Sequence, residues 1–210
     1  AAQTGMCIQL DTGMATLGEI ETAVNVICSE GNQDIIIHQC PSGYPALLDS
    51  INLRIIPTLR QLFPYPVAFS DHSPGILMDV AALALGANLL EKTITENRMT
   101  QSVEHIMSLE PEEMCSFVKT IRDTETALGS TRRILSPTES SARLAARRST
   151  FLAAEAHAGQ SLNECTVEFR RPGHGIPPDI FVNLQDVTID RDLNDGHMLR
   201  LGDLNWSQEL

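Results

Sequence analysis

The sequence predicts an α/β fold for its first 129 residues, followed by a small β-rich module. Two observations support this prediction. Before residue 130, short apolar strands alternate four times with amphipathic helical segments, which is typical of a parallel sheet covered by crossover helices. After residue 149 the pattern changes to short strands separated by Gly, Pro and Asn, which indicates a second domain.

The first βα unit is predicted as a strand over residues 6–10 and a helix over residues 17–29. Thr16 and Glu19 have the spacing of a capping box at the start of this helix, and apolar residues recur behind them at helical spacing. The next strand is predicted over residues 34–38.

The second helix is predicted over residues 52–63, where Pro64 and Pro66 end it. A strand over residues 67–70 follows, and then a helix over residues 76–85 that is apolar nearly all round. Such a helix is expected to lie buried between the sheet and its neighbours.

The fourth strand is predicted over residues 88–94, and the fourth helix runs from Pro111 to Gly129. Residues 130–149 combine Ser, Thr, Arg and Pro with little periodicity, so we interpret them as a linker that is partly helical at its end. Residues 150–210 are then the second domain.

Four βα units without closure leave two unpaired sheet edges, which soluble proteins avoid. A complete (β/α)₈ barrel takes about 250 residues. We therefore expect residues 1–129 to be about half of such a barrel. The chain begins Ala-Ala-Gln, with its first strand a few residues later, so an upstream segment is expected to supply the rest.

Composition excludes several classes of function. A net charge of -12 argues against a nucleic-acid partner. No apolar run approaches the roughly 20 residues that span a bilayer, and the N-terminal region lacks the layout of a signal peptide. The expected location is therefore the cytoplasm, without a membrane partner. The five cysteines are scattered, without zinc-site spacing, and are expected to be reduced thiols in packed positions.

In barrels of this type, the carboxyl ends of the strands carry the chemistry. Alternation along the fourth strand predicts that Glu91 and Thr93 share one face, while Lys92 lies on the other. His72 directly follows a strand, where it is either a metal ligand or an ordinary loop histidine. Cys40 also lies near a strand end, where a packing role is favoured over a nucleophile because no basic partner is adjacent.

Six segments at or near these strand ends carry a family resemblance: D-T-G-M-A-T, C-P-S-G-Y-P, F-S-D-H-S-P-G, A-L-G-A-N-L-L-E-K-T, M-S-L-E-P-E-E-M and R-R-P-G-H-G-I. In order and spacing they resemble the sialic acid synthase family, and together they cover nearly the whole chain. The resemblance implies the second half of a TIM-type barrel over residues 1–129 and an antifreeze-like (SAF, β-clip) domain over residues 150–210.

The family condenses phosphoenolpyruvate with an N-acyl hexosamine such as N-acetylmannosamine, giving a nine-carbon acid and phosphate. A divalent metal, usually Mn²⁺, polarises the sugar aldehyde as a Lewis acid. The resemblance therefore implies phosphoenolpyruvate and an N-acyl hexosamine as substrates, Mn²⁺ as cofactor, and a domain-swapped homodimer.

The family's S-D-H pattern falls on Ser70, Asp71 and His72. It implies that His72 binds the metal, that Ser70 helps to hold phosphoenolpyruvate, and that Asp71 belongs to the substrate-binding set. The family's C-T-S-N-Y-P segment implies that Tyr44 lines the sugar pocket and that Ser42 binds substrate.

The resemblance also implies that Arg171 reaches the barrel of a neighbouring subunit, and that Glu91 and Glu104 are catalytic. Three positions depart from the family pattern. Thr93 stands where the family has a second histidine ligand, and Asp11 stands where it has a serine that contacts phosphoenolpyruvate. Glu104 stands where the family has an aspartate that contacts sugar hydroxyls.

Three functions remain open at this point. The first is part of a working synthase, acting on N-acetylmannosamine, its 6-phosphate or a diacetamido sugar, or a relative that acts on spore-coat polysaccharide. The second is a non-catalytic relative with a binding or scaffolding role. The third is an ice- or carbohydrate-binding function of the C-terminal domain alone, and the many charged residues of that domain argue against ice binding.

Overall fold

The structure, a computed structural model, describes residues 1–184 and 186–206. The chain divides into two compact units, Ala1–Ser130 and Thr131–Leu210, and each has a hydrophobic core of its own. Among the described residues, no helix combines the length and the apolar character needed to cross a bilayer.

Four parallel strands form the sheet of the first unit, in the spatial order β1-β2-β3-β4. They are β1 (Ile8–Asp11), β2 (Ile35–Gln39), β3 (Val67–Asp71) and β4 (Leu89–Lys92). An α/β fold with a parallel sheet is thus confirmed. β4 ends before the predicted residue 94, because the chain beyond it pairs with Leu109 only through an isolated bridge at Ile94.

Helices cross between the strands: α1 (Leu17–Ser29), α2 (Ile55–Leu62), α3 (Leu77–Ala84) and α4 (Pro111–Leu128). The predicted capping box at α1 is present, with the Thr16 backbone N–H donating to Glu19 Oε2 at 2.8 Å. The start of α2 was predicted at residue 52, which is wrong. Asn52 has φ +48°, a left-handed conformation that a helix excludes.

The core of the first unit lies on one face of the sheet, against the helices. Ile37 and Phe69 are fully buried there, together with Ile56 and Leu59 of α2. Side chains alternate between the two faces along each strand. The neighbours of these core residues, such as His38 and Ser70, therefore lie on the opposite face, which carries the polar side chains.

The second unit contains two antiparallel pairs of short strands, β5 with β6 and β7 with β8. Its elements are α5 (Pro137–Ala146), β5 (Ser149–Leu152), β6 (Val167–Arg170), α6 (Pro178–Phe181), β7 (Val187–Ile189) and β8 (Leu204–Trp206). Its core includes Leu152, Ile189 and Leu199. The segment predicted as a linker, residues 130–149, contains α5, and Ser136 caps that helix.

Candidate functional site

Three side chains converge on the polar face of the parallel sheet, and we call them the Asp11–His38–Glu91 cluster. Each offers one ligand atom, and these atoms all lie within 4.8 Å of one another. His38 Nδ1 lies 3.0 Å from Glu91 Oε2 and 3.7 Å from Asp11 Oδ1. β3 lies between β2 and β4, and its residue opposite His38 is Ala68. The small Ala68 side chain leaves room for Glu91 of β4 to reach His38.

The His38 side chain is only 4% exposed, yet among the described residues neither ring nitrogen has a hydrogen-bond partner. Its close approach to Glu91 lacks the angle of a hydrogen bond. Sequence reasoning missed this residue. A usable signal was its position in the run Ile-Ile-Ile-His-Gln, where a lone polar residue interrupts an apolar strand.

Ser70 and Cys40 lie on the same face, next to this cluster. Ser70 is buried on β3, with Glu91 as its register partner on β4. Burial raises the pKa of the Cys40 thiol; the nearby Asp11 and Glu91 carboxylates raise it further, while a hydrogen bond with Ser70 lowers it. Because the net shift is upward, Cys40 is a protonated thiol rather than a nucleophile.

His72 and Tyr44 lie together just beyond the strand ends. Their rings stack with centroids 4.5 Å apart at an interplanar angle of 28°. His72 Nδ1 lies 3.0 Å from the Pro41 carbonyl oxygen, which leaves Nε2 as the ring nitrogen that can bind a ligand. The segment that carries Tyr44 is also held by the Ala46 N–H, which donates to the His72 carbonyl at 2.9 Å.

Ser42 belongs to the same segment and is exposed. A side chain at Gly13 would lie 3.5 Å from Ser42 Oγ, so the ends of β1 and β2 approach each other closely. A cavity of about 690 Å³ opens beside them, and Thr12, Cys40, Ser42 and Arg54 are among its lining residues. Arg54 is the cationic residue in that lining.

Asp71 points away from this group, to the helix-facing side of the sheet. It is fully buried, and its Oδ1 accepts hydrogen bonds from the backbone N–H and the hydroxyl of Ser73 at 2.8 and 2.7 Å. Its Oδ2 accepts from Lys92, whose ammonium also donates to the Ser73 carbonyl at 2.8 Å. The residue directly after Ser70 must face the other way, because side chains alternate along a strand.

Asp79 of α3 completes this buried ionic group, with its Oδ2 3.4 Å from Lys92 Nζ. Burial raises the pKa of Asp79 to about 8, and the neighbouring Asp71 contributes in the same direction. We call Asp71, Asp79 and Lys92 the buried ionic cluster. Its contacts join β3, β4 and α3.

Among the described residues of the first unit, Glu104 and Thr93 form no side-chain hydrogen bond or ion pair with this group. The Glu104 side chain is exposed, and within residues 1–184 its carboxylate makes no hydrogen bond or ion pair. In the part of the chain that the structure describes, Thr93 Oγ1 is buried without a hydrogen-bond partner. Arg171 lies in the second unit, where its Nε donates to the Ala146 carbonyl at 2.9 Å, and its predicted role remains a prediction.

Comparison with known proteins adds family membership to this geometry. A family model described as the NeuB family matches residues 1–133, which is more than half of the chain. The chain belongs to the NeuB family. The predicted resemblance to sialic acid synthases is thereby confirmed.

Two curated relatives show how far this NeuB-family chain extends along known proteins. An uncharacterized protein of Methanocaldococcus jannaschii is 36% identical over 203 residues, which cover 97% of the chain and 60% of the relative. The N,N'-diacetyllegionaminic acid synthase of Legionella pneumophila is 33% identical over 195 residues, covering 90% of the chain and 54% of the relative. The chain thus spans between half and two thirds of their length.

A solved structure agrees with this assignment. The chain resembles an N-acetylneuraminic acid (sialic acid) synthetase from Leptospira borgpetersenii, crystallised in complex with citrate. The TM-score is 0.62 at 32% sequence identity, and the match covers 67% of this chain and 49% of that one.

Proposed function

We propose that this chain is the catalytic C-terminal part of a synthase that condenses phosphoenolpyruvate with an N-acyl hexosamine. The product is a nine-carbon sialic-type acid, and phosphate is released. The observation that carries the proposal is the polar face of the parallel sheet, where Asp11, His38, Ser70 and Glu91 gather at and near the strand ends. Relatives named as synthases support the same reaction type.

We further propose that residues 1–129 are the second half of a (β/α)₈ barrel. A sheet with sequential parallel strands, helices on one face and polar residues on the other has the arrangement of a barrel wall. In this proposal the polar face lines the interior of the barrel. Residues 130–149 link it to an antifreeze-like domain over residues 150–210, an assignment that the short antiparallel strands of the second unit support.

The proposed roles follow from position and charge. Phosphoenolpyruvate is an anion, and Arg54, which lines the same cavity as Ser42, offers a cationic side chain near β1 and β2. Ser70 is a buried hydroxyl that can donate a hydrogen bond to the bound acid. The stacked His72 and Tyr44 rings form a wall against which a sugar can pack.

Proton transfer is assigned to Glu91. Condensation joins the methylene carbon of phosphoenolpyruvate to the aldehyde carbon of the sugar, whose oxygen takes up a proton. Water then adds to the neighbouring carbon that carries the phosphate, and the bond from that carbon to the phosphate oxygen breaks. The Glu91 carboxylate is exposed on the polar face, where it can accept the proton of that water. Glu104 is proposed to contact the sugar hydroxyls.

A divalent cation, Mn²⁺ in our proposal, supplies Lewis-acid polarisation of an aldehyde oxygen when it is bound. The two positions used by the family do not provide a complete site here. His72 offers one nitrogen, whereas Thr93 offers a hydroxyl, which is a poor ligand for a first-row metal. Among the described residues, no group of three potential ligands includes His72. No step of the reaction is therefore assigned to a cation at that position.

The second subunit enters this proposal through Arg171. A guanidinium that reaches a neighbouring barrel in a domain-swapped homodimer would hydrogen-bond the N-acyl carbonyl of the sugar.

The test is an assay of phosphate release by the full-length gene product. Phosphoenolpyruvate is supplied with Mn²⁺ and, in separate reactions, N-acetylmannosamine, its 6-phosphate and a diacetamido hexosamine. We expect release that requires both substrates and is lost in Glu91→Gln, with Glu96→Gln as the matched control. No release with any of the sugars would refute the proposal and favour a non-catalytic binding role.

A further inference from the structure

The Asp11–His38–Glu91 cluster has the composition of a cation site. It presents one imidazole nitrogen and two carboxylates from three different strands, with ligand atoms within 4.8 Å of one another. Ligands bound to one ion at the usual metal–ligand distances of about 2.0–2.2 Å lie about 3–4 Å apart. The two His38 distances, 3.0 and 3.7 Å, fall in that range.

The state of His38 is the second, independent observation. The side chain is 96% removed from solvent and aimed between two carboxylates, yet within residues 1–184 and 186–206 both of its ring nitrogens lack a hydrogen-bond partner. Buried polar atoms in folded proteins are nearly always satisfied. His38 Nδ1 lies close to the Glu91 carboxylate, but the angle is not that of a hydrogen bond. Two groups that bind the same metal ion have this arrangement.

The two carboxylates give the same indication. Asp11 and Glu91 bring like charges within 4.8 Å of each other, although their side chains are 64% and 58% exposed and have room to turn away. A cation between them removes this repulsion. Their exposure also leaves one side of the site open to water or to an oxygen of another molecule.

We propose that Asp11, His38 and Glu91 bind a divalent first-row transition metal ion, with Mn²⁺ as the ion to be tested. An imidazole ligand favours such an ion over Mg²⁺ and Ca²⁺, and the two carboxylates favour Mn²⁺ among the transition metals. Neutral His38 supplies Nδ1, and each carboxylate supplies one oxygen.

This site differs from the His72–Thr93 position. His38 lies opposite Ala68 in the sheet, whereas His72 follows four residues later, beyond the end of β3. The cluster is therefore deeper on the polar face, and it stands on the geometry of this chain independently of the proposed reaction.

The experiment is a titration of the chain with Mn²⁺, followed by electron paramagnetic resonance of the free ion. Pulsed measurements on the bound ion detect coupling to an imidazole nitrogen. We expect one saturable site in the wild type with nitrogen coupling. Loss of a ligand in Asp11→Asn or Glu91→Gln is expected to weaken binding by roughly 100-fold or more, beyond the 10–100-fold typical of outer-shell changes. His38→Gln should also remove the nitrogen coupling.

Two control variants make the result specific. His157→Gln alters an exposed histidine that lies 3.5 Å from Asp192 in the second unit, so it matches the type of change and should leave Mn²⁺ affinity intact. His72→Gln should leave it intact as well. The two carboxylate variants change exposed side chains, so they test the site even if His38→Gln fails to fold.

Three results would overturn the proposal. The first is an absence of saturable binding by the wild type up to about 1 mM Mn²⁺. The second is unchanged affinity in Asp11→Asn and Glu91→Gln. The third is loss of binding in His72→Gln, which would put the ion at the strand end. Because binding is measured without substrates, none of these results depends on catalytic activity.

Discussion

Replacing Lys92 with methionine tests whether the buried ionic cluster stabilises the first unit. The Lys92 side chain is 2% exposed and its partner Asp71 is 0% exposed. If either charged group is removed, water cannot take its place beside the other. Methionine matches the length of the lysine stem but supplies neither the charge nor the hydrogen bonds. Lys92→Met therefore removes the ammonium from the Asp71 carboxylate, which keeps its two Ser73 hydrogen bonds.

The expected cost follows from this burial. Removing one partner of a buried ion pair typically destabilises a protein by about 3–5 kcal/mol, because the other charge stays buried without compensation. The Ser73 carbonyl also loses the donor that lies 2.8 Å away. Asp79 adds no second unpaired charge, since its raised pKa keeps it largely protonated at neutral pH. We expect Lys92→Met to lower the free energy of unfolding by about 3–5 kcal/mol.

The measurement is urea unfolding followed by far-UV circular dichroism, a signal that comes mainly from the helices of the first unit. Fluorescence of Trp206, the single tryptophan of the chain, reports the second unit as an internal control. In an Asp71→Asn background, Lys92→Met should cost clearly less, because no carboxylate is left unpaired. A cost below about 1 kcal/mol, or the same cost in both backgrounds, would refute the reasoning.

Three further predictions concern pH, packing and substrate binding. The pKa of Asp79 is about 8 in the folded state and near 3.8 in the unfolded state, so the native state binds more protons between these pH values. The free energy of unfolding therefore falls as pH rises, by up to about 1.4 kcal/mol per pH unit. Asp79→Asn should flatten the dependence of the urea midpoint on pH between pH 5 and 9. Parallel pH profiles of the variant and the wild type would contradict this prediction. Phe69 is fully buried, so Phe69→Ala should cost about 3–5 kcal/mol in the same assay; a cost under about 1 kcal/mol would mean that the core is misassigned. Arg171→Ala should raise the Michaelis constant for the sugar but not for phosphoenolpyruvate, and equal effects on both would refute its role.

Much of the first unit could be predicted because its signals are local. The four strands are short apolar runs, and the capping box at Thr16 lies within one helical turn. Alternation along β4 also predicted that Glu91 and Lys92 face opposite sides, and the structure confirms this, with Lys92 in the buried ionic cluster and Glu91 on the polar face.

The candidate site was harder to predict. The family pattern indicated Ser70 and His72 but missed His38, which looks like one polar residue in an apolar strand. The same pattern grouped Asp71 with the substrate-binding residues, although alternation alone would have directed its side chain to the helix-facing side.

The sequence by itself determined the α/β class, the order of the elements and the face on which each strand residue lies. These properties depend on periodicity and on caps, which act between residues only a few positions apart. Only the tertiary structure decided that His38 lies between Asp11 and Glu91, and that Lys92 lies beside Asp71 and Asp79. Such contacts depend on strand register and on the packing of helix against sheet, which join residues far apart in the chain.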